Sequence, residues 1–140
     1  MSLADVLYIR EYHNLASDLP PDSFILHMIR TAGRKLRKWV GDSIYNDAES
    51  PTPSDPNRAA DLKDAESELT MFYAIPKLNL KIGDSGIIQS DQHGEGNFTL
   101  ATPNQIEKIR KMYFSNAEDL AEPYMEVHGT VPVKSEKLNE

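Results

Sequence analysis

Three apolar stretches at helical spacing, each opened by proline, constrain the fold of this chain more than any other feature. In the first, over residues 23–45, apolar residues recur in steps of three and four, which places them on one face of a helix. They are Ile25, Met28, Ile29, Ala32, Leu36, Trp39, Val40 and Ile44. Asp22 follows Pro20 and Pro21 and is predicted to cap this helix. Gly33 lies inside it, which indicates close packing or a bend.

A second helix is predicted over residues 57–75, with Asp55 as its cap and Pro56 as its first residue. Its apolar stripe consists of Leu62, Ala65, Leu69, Phe72 and Tyr73. Its charged residues are predicted to form a solvated face, which consists of Asp61, Lys63, Asp64, Glu66 and Glu68. Pro76 lacks a backbone N–H and crowds the preceding turn, so it is predicted to end or kink the helix.

A third helix is predicted to open at Thr102, the cap, and Pro103, the first helical residue. Gln105 stands at the position that completes a capping box. The apolar face continues through Ile106, Ile109, Met112, Tyr113, Ala117 and Leu120. Pro123 is predicted to bend or end this helix.

The segments between the helices have different compositions. Residues 46–57 are rich in proline, aspartate and serine, which predicts a linker. Apolar and polar residues alternate over residues 78–82, a turn follows at residues 83–86, and Ile87 and Ile88 can start a return strand, so a small hairpin is predicted. Residues 1–18 are consistent with either a strand or one helical turn.

Together these elements predict a mainly α fold: a small bundle of about three main helices, with a short β-hairpin and an extended C-terminal tail. The length of 140 residues is that of one ordinary domain. The predicted organisation is a single helical domain over residues 1–128, with the linker inside it, and an extended arm over residues 129–140.

The composition predicts a thin core. Hydrophobic residues make up 39% of the chain, below the usual ~45–50% of globular domains. Association with partner surfaces would complete the burial of such a core. The absence of cysteine excludes disulfides and thiolate metal sites. The sequence has neither an apolar run of about 18 residues nor a signal-peptide pattern, so a protein without a membrane span, made in the cytoplasm, is expected.

The formal net charge of −7 disfavours a general DNA-binding protein, because phosphate neutralisation requires basic surfaces. One dense basic patch stands out, formed by Arg34, Lys35, Arg37 and Lys38. It is either a contact with nucleic acid or an acidic neighbouring subunit, or simply the solvated edge of an amphipathic helix. If copies of the chain associate, the candidate acidic partners are Glu118, Asp119, Glu122 and Glu126.

No set of residues predicts catalysis, a metal or a cofactor. The four histidines are His13, His27, His93 and His128, and no two have the four-residue spacing of a helical metal site. His93 lies near Asp84, Asp91 and Glu95, which indicates a weak cation site or, more simply, a solvated polar loop. Residues 83–86 lack the spacing of a nucleophile elbow. A protein that is not an enzyme is therefore expected.

The C-terminal arm has a sequence suited to an extended conformation. Its central residues are Thr130, Val131, Pro132, Val133 and Lys134. Such a segment can add to an exposed sheet edge of a partner through main-chain hydrogen bonds. The alternative is simple terminal disorder.

The order of elements over residues 22–124 resembles the head-completion, or head–tail adaptor, proteins of tailed bacteriophages. The likeness is carried by the helix around residues 61–69, its run through residues 73–82 into the hairpin, the polar loop, and the helix opened by Thr102 and Pro103. It is a likeness of layout and not of a diagnostic motif. The linker at residues 46–57 has no clear counterpart in it.

The resemblance implies a virion protein of the head–tail interface, assembled in the host cytoplasm. Such subunits form a ring, usually of twelve copies, beneath the portal protein. The ring extends the DNA channel, through which DNA passes without sequence-specific binding, and provides the platform for the next neck or tail-completion protein. By this likeness residues 129–140 are the portal-binding arm, and residues 81–97 contact a neighbour or the next ring.

Two other hypotheses belong to different classes. A nucleic-acid-binding packaging or regulatory protein would use the basic patch at residues 34–38, and it predicts salt-sensitive DNA binding. A hydrolase or metal enzyme would use His93 and its acidic neighbours, and it predicts stoichiometric metal in the purified protein.

Overall fold

Five α-helices make up most of the part of the chain that the structure describes. The structure is a computed structural model, and it describes residues 2–17, 20–78, 80–83, 86–89, 99–100 and 102–125. The helices are α1 (Val6–Tyr12), α2 (Asp22–Val40), α3 (Asp42–Glu49), α4 (Pro56–Ala74) and α5 (Pro103–Ala121), and 3-10 turns follow at Ile75–Lys77 and Glu122–Tyr124. The predicted mainly α fold is confirmed. Residues 1–18 are consistent in sequence with a strand or one helical turn, and the structure has a helix there, the seven-residue α1.

Two helix starts occur where the capping residues predicted them. At α4 the Asp55 side chain accepts a hydrogen bond from the backbone N–H of Arg58 at 3.1 Å, and Pro56 is the first helical residue. At α5 the Thr102 hydroxyl accepts from the N–H of Gln105 at 3.2 Å, and the Gln105 side chain accepts from the N–H of Thr102 at 2.8 Å. The predicted capping box is therefore present.

The predicted first helix is wrong in its extent, because Gly41 divides it into α2 and α3. Gly41 has φ 89°, a left-handed conformation that glycine adopts without strain. Its N–H donates to the carbonyl of Arg37 at 2.8 Å and closes α2, while its carbonyl accepts from the N–H of Tyr45 at 3.1 Å and opens α3. The apolar spacing continues across the break and conceals it. The predicted linker is shorter than residues 46–57, since α3 continues to Glu49.

The start of α2 also differs from the prediction. Asp22 is the first residue of the helix and not its cap; Pro21 stands at the cap position and has no side-chain hydrogen bond there. The Asp22 carboxylate instead accepts a hydrogen bond from the Arg10 guanidinium, with 2.6 Å between the nitrogen and the oxygen. The acidic group at this end of α2 therefore links it to α1.

Helix α4 lies at the centre of the bundle, with α1, α2, α3 and α5 all packed against it. The main cluster of buried apolar residues joins α2, α3, α4 and α5. It consists of Ala32, Leu36, Trp39, Val40, Tyr45, Leu62, Ala65, Leu69, Ala117 and Ala121. A second cluster joins the N-terminal segment to the first half of α2 and consists of Ala4, Ile9, Ile25 and Ile29.

Helices α4 and α5 run antiparallel, and polar contacts mark their whole length. The Arg110 side chain donates to the carbonyl of Phe72 at 3.3 Å, and the Asn116 amide donates to Glu68 at 3.1 Å. At the far end the Tyr124 hydroxyl donates to Asp61 at 2.7 Å. Residue numbers rise on one helix as they fall on the other, as in an antiparallel helix pair joined by an intervening segment.

The predicted solvated face of the second helix is wrong at two positions. Glu66 and Glu68 are buried, together with Ser67 and Thr70 between and beyond them. The physical reason is the central place of α4: neighbours cover several of its faces, so an apolar stripe on one face does not leave the opposite face in water. The two carboxylates then require hydrogen-bond donors inside the protein.

Among the described residues between α4 and α5 the structure has three short strands: β1 (Leu80–Gly83), β2 (Gly86–Gln89) and β3 (Thr99–Leu100). Strand β1 is central in the order β2-β1-β3, and both pairings are antiparallel. The turn of the predicted hairpin, residues 84–85, lies outside the described residues, so the hairpin stays a prediction. The arm at residues 129–140 and the domain boundary before it also lie outside them.

Candidate functional surface on helix α2

A row of exposed cations follows one face of α2. Arg30, Arg34 and Lys38 are all exposed and stand four residues apart. Residues at this spacing lie above one another on a helix, about 6 Å apart along its axis. Within the described residues, no ion pair or hydrogen bond is found for any of the three side chains. We call these three residues the cationic row.

Two neighbouring cavities lie along the cationic row. One has a volume of about 220 Å³ and lies beside Arg30, Arg34, Gly33 and Tyr45. The other has a volume of about 460 Å³ and lies beside Arg34, Lys38 and the break between α2 and α3 at Gly41. Arg34 and Arg37 line both cavities, so the two adjoin, and we call them together the groove.

Arg37, also part of the predicted basic patch, is held by its own neighbours. Its guanidinium donates to Asn46 at 2.9 Å and to Asp42 at 3.2 Å, and its second terminal nitrogen lies 3.8 Å from Glu49. The guanidinium carbon lies 4.3 Å from the centre of the Tyr45 ring. These contacts fix Arg37 in the groove wall and tie α3 to α2.

Lys35 completes the predicted basic patch, and the structure separates it from the cationic row. Its side chain is half-buried, and its ammonium lies 5.8 Å from the centre of the Trp39 ring, at the outer limit of a cation–π contact. Of the four predicted residues, Arg34 and Lys38 thus face solvent, whereas Arg37 and Lys35 contact their own chain. Arg30, which the sequence pattern did not single out, belongs with the exposed pair.

Three of the predicted acidic partners, Glu118, Asp119 and Glu122, lie near the end of α5, and Glu126 lies outside the described residues. Glu118 is 3% exposed, so it is not presented at the surface of the single chain. Asp119 and Glu122 are exposed, and each already has an interaction within the chain. Pairing of these residues with the basic patch of another copy stays a prediction.

The residues of the predicted cation site and the four histidines are not part of the cationic row. Among the described residues no group of three or more metal-ligating side chains is found, and His93, His128 and residues 130–134 lie outside that part of the chain. His13 has a structural role: its Nε2 donates to the carbonyl of Ser67 at 2.9 Å. Burial lowers the pKa of His13 despite the nearby Glu68 carboxylate.

Comparisons of the chain with protein-family models, with curated proteins and with solved structures find no match. None of the described helices is both long and apolar enough to span a membrane.

A buried polar cluster beneath the groove was not foreseen from the sequence. Glu66 accepts hydrogen bonds from the N–H groups of Leu3 and Ala4, at 2.9 and 2.8 Å, and from the Tyr45 hydroxyl at 2.5 Å. Burial raises the pKa of Glu66 above its usual range, although the three donors oppose that rise. Burial and the Glu66 charge together raise the pKa of Tyr45. One carboxylate thus joins the N-terminal segment, α3 and α4.

Gly33 permits this cluster to form, so its two predicted explanations resolve in favour of close packing. A Cβ atom at this position would lie 2.9 Å from the Tyr45 hydroxyl oxygen and 3.0 Å from Glu66 Oε1. Both oxygens belong to buried side chains that are hydrogen-bonded to each other, so a shift of either one disturbs that bond.

We therefore expect Gly33→Ala to destabilise the fold. Overpacking costs about 1–3 kcal/mol, and the gain in helix propensity of about 1 kcal/mol offsets only part of it. The measurement is the free energy of unfolding in urea. The control is the same substitution in a Tyr45→Phe background, where the closest oxygen is absent and the added cost should shrink. An equal cost in both backgrounds would contradict the packing explanation.

Proposed function

We propose that this chain is a structural, non-enzymatic protein of the phage head–tail interface, an adaptor subunit that forms a ring under the portal. The proposed ring extends the DNA channel and provides the platform for the next neck or tail component. In this proposal residues 129–140 form the arm that binds the portal protein. The ring consists of copies of this chain, and twelve is the copy number that the resemblance implies.

The observation that carries the proposal is the order and bounds of the elements over residues 56–124. Helix α4 starts at the Asp55 cap, ends in the 3-10 turn that contains Pro76, and is followed after an intervening segment by α5 with its Thr102 capping box. This is the layout on which the resemblance to head–tail adaptors depends. The central α4, packed against four other helices, gives such a subunit a rigid body from which the arm at residues 129–140 can contact the portal.

Exposed apolar side chains on three helices also support an assembling protein. Leu7 on α1 is 64% exposed, Met112 on α5 is 48% exposed, and Leu26 on α2 is 41% exposed. Single exposed apolar residues are common on monomers. Their presence on several helices is what a ring subunit with neighbours on two sides needs, since each side must bury some apolar surface.

The test is the molar mass from light scattering of the chain alone and of the chain mixed with a purified portal ring from the same genome. We expect a ring-sized complex with the portal. We also expect its loss when residues 129–140 are replaced by a glycine–serine tail of equal length. The replacement keeps chain length constant, so a loss reports on the sequence of the arm. A chain that remains separate from the portal would overturn the proposal.

A further inference from the structure

The cationic row places three like charges along one face of α2. Cations four residues apart on a helix repel one another and reduce its stability slightly. The three arginines outside α2 each have a carboxylate partner: Arg10 pairs with Asp22, Arg58 with Asp47, and Arg110 with Glu107. Arg30, Arg34 and Lys38 have no such partner among the described residues. Repulsion between like charges that no neighbouring carboxylate offsets is expected where a surface binds a ligand.

The anion that this row binds is not supplied by the described carboxylates of the same chain. Asp42 and Glu49 contact Arg37, while Asp61 and Asp64 accept from Tyr124 and Tyr8. The rest are used as caps, buried or otherwise engaged, as for Asp5, Asp55, Glu66, Glu68, Glu118, Asp119 and Glu122. Glu11 is the exception in the described part of the chain. A second copy therefore presents few unengaged carboxylates there.

The shape of the surface favours a polymer of regularly spaced anions. The three cations form a straight row about 12 Å long, since eight residues separate Arg30 from Lys38 in the helix. The groove continues along this row and is open where α2 ends at Gly41. Arginine guanidinium groups bind phosphate oxygens through two parallel hydrogen bonds, and lysine binds them as a point charge.

We propose that the groove along the cationic row binds the phosphodiester backbone of double-stranded DNA. Arg30, Arg34 and Lys38 each contact a phosphate, and Arg37 forms part of the wall without giving up its own partners. The contacts are to the backbone alone, so binding has no sequence preference. The net charge of −7 opposes the interaction only weakly at physiological salt, because screening limits charge effects to about 8–10 Å.

Titration of a fluorescent duplex of two helical turns with the full chain, at several salt concentrations, tests this proposal. Three phosphate contacts predict a slope of log affinity against log salt of about −2.7, so a threefold rise in salt weakens binding about 20-fold. The R34Q/K38Q variant should retain a slope of only about −0.9, with at least a tenfold loss of affinity at low salt. Both substituted side chains are exposed, so the fold should persist, as circular dichroism would verify.

The matched control is K108Q/K111Q, which removes two exposed lysines from α5 and leaves α2 unchanged. It should bind DNA with the affinity and salt slope of the unmodified chain. Absence of binding at low salt, an unchanged slope in R34Q/K38Q, or an equal loss in the control would each overturn the proposal. If R34Q/K38Q instead loses mass in light scattering while binding DNA normally, the groove is a contact between copies, and the proposal is wrong. Formation of the portal complex is a separate readout, so the proposed function stands or fails independently.

Discussion

Replacement of Glu66 by leucine is expected to destabilise the protein by about 3–5 kcal/mol, because three hydrogen-bond donors lose their shared acceptor. The substitution leaves the amide groups of Leu3 and Ala4 and the Tyr45 hydroxyl without their acceptor. Each buried donor left unsatisfied costs about 1–3 kcal/mol. Equilibrium unfolding in urea measures the loss. Hydrogen exchange at Leu3 and Ala4 should accelerate in parallel, because Glu66 holds the N-terminal segment on α4.

Glu66→Gln separates the role of hydrogen bonding from that of charge. A glutamine oxygen can accept from both backbone amides, and its nitrogen can donate to the Tyr45 oxygen, so most of the network survives. We expect a cost of about 1 kcal/mol, mainly because the Tyr45 hydroxyl proton loses its acceptor. Glu11→Leu on the exposed face of α1 is the control for added apolar surface, with an expected effect within about 0.5 kcal/mol. A Gln variant as unstable as the Leu variant would contradict the hydrogen-bond account.

The stability difference between the unmodified chain and Glu66→Gln is expected to depend on pH, because the pKa of Glu66 is raised. The folded chain holds the Glu66 proton more tightly than the unfolded chain, whose carboxyl titrates near 4.5. This group therefore contributes a stability that is present below pH 4.5 and is lost as pH rises through the folded pKa. Relative to the unmodified chain, Glu66→Gln should gain stability over that interval and then level off. A difference between the two proteins that does not change with pH would show that burial leaves the Glu66 pKa unshifted.

The sequence determines the local features of this fold and leaves the contacts between helices undetermined. The starts of α4 and α5 could be predicted because the Asp55 cap, the Thr102–Gln105 capping box and the following prolines act within a few residues. The break at Gly41 was missed because the apolar spacing runs through it, although a glycine followed by aspartate was a usable signal. These features depend on short sequence segments, which a single sequence displays.

Burial of Glu66 is a different case. Its carboxylate lies in the core because Gly33, distant in sequence, leaves room for it, and because the N-terminal backbone supplies two donors. The periodicity of residues in α4 indicates neither the space at Gly33 nor the two backbone donors. The predicted basic patch includes Arg34 and Lys38 of the candidate surface but not Arg30, since Arg30 lies outside the dense basic run. Arg37 could not be distinguished from its neighbours because its partners come from the unforeseen helix α3.

Replacement of Arg10 by methionine is the second large effect that we expect, a loss of about 2–4 kcal/mol. Arg10 is buried, and its guanidinium donates to the carbonyls of Ala16 at 2.6 Å and Pro20 at 2.7 Å. These bonds fix the connection between α1 and α2. Methionine keeps the apolar stem but leaves the Pro20 carbonyl, in a buried residue, without this donor. Unfolding in urea measures the loss.

The ion pair between Arg10 and Asp22 contributes little to that effect, and the control variant separates the two contributions. Asp22 is 73% exposed, and pairs with an exposed partner contribute about 0–1 kcal/mol. Asp22→Asn should therefore cost no more than about 1 kcal/mol, while Arg10→Met costs several times as much. Comparable losses in the two variants would assign the stability to the ion pair. A large loss in Arg10→Met alone assigns it to the other contacts of the guanidinium, among them those to the Ala16 and Pro20 carbonyls.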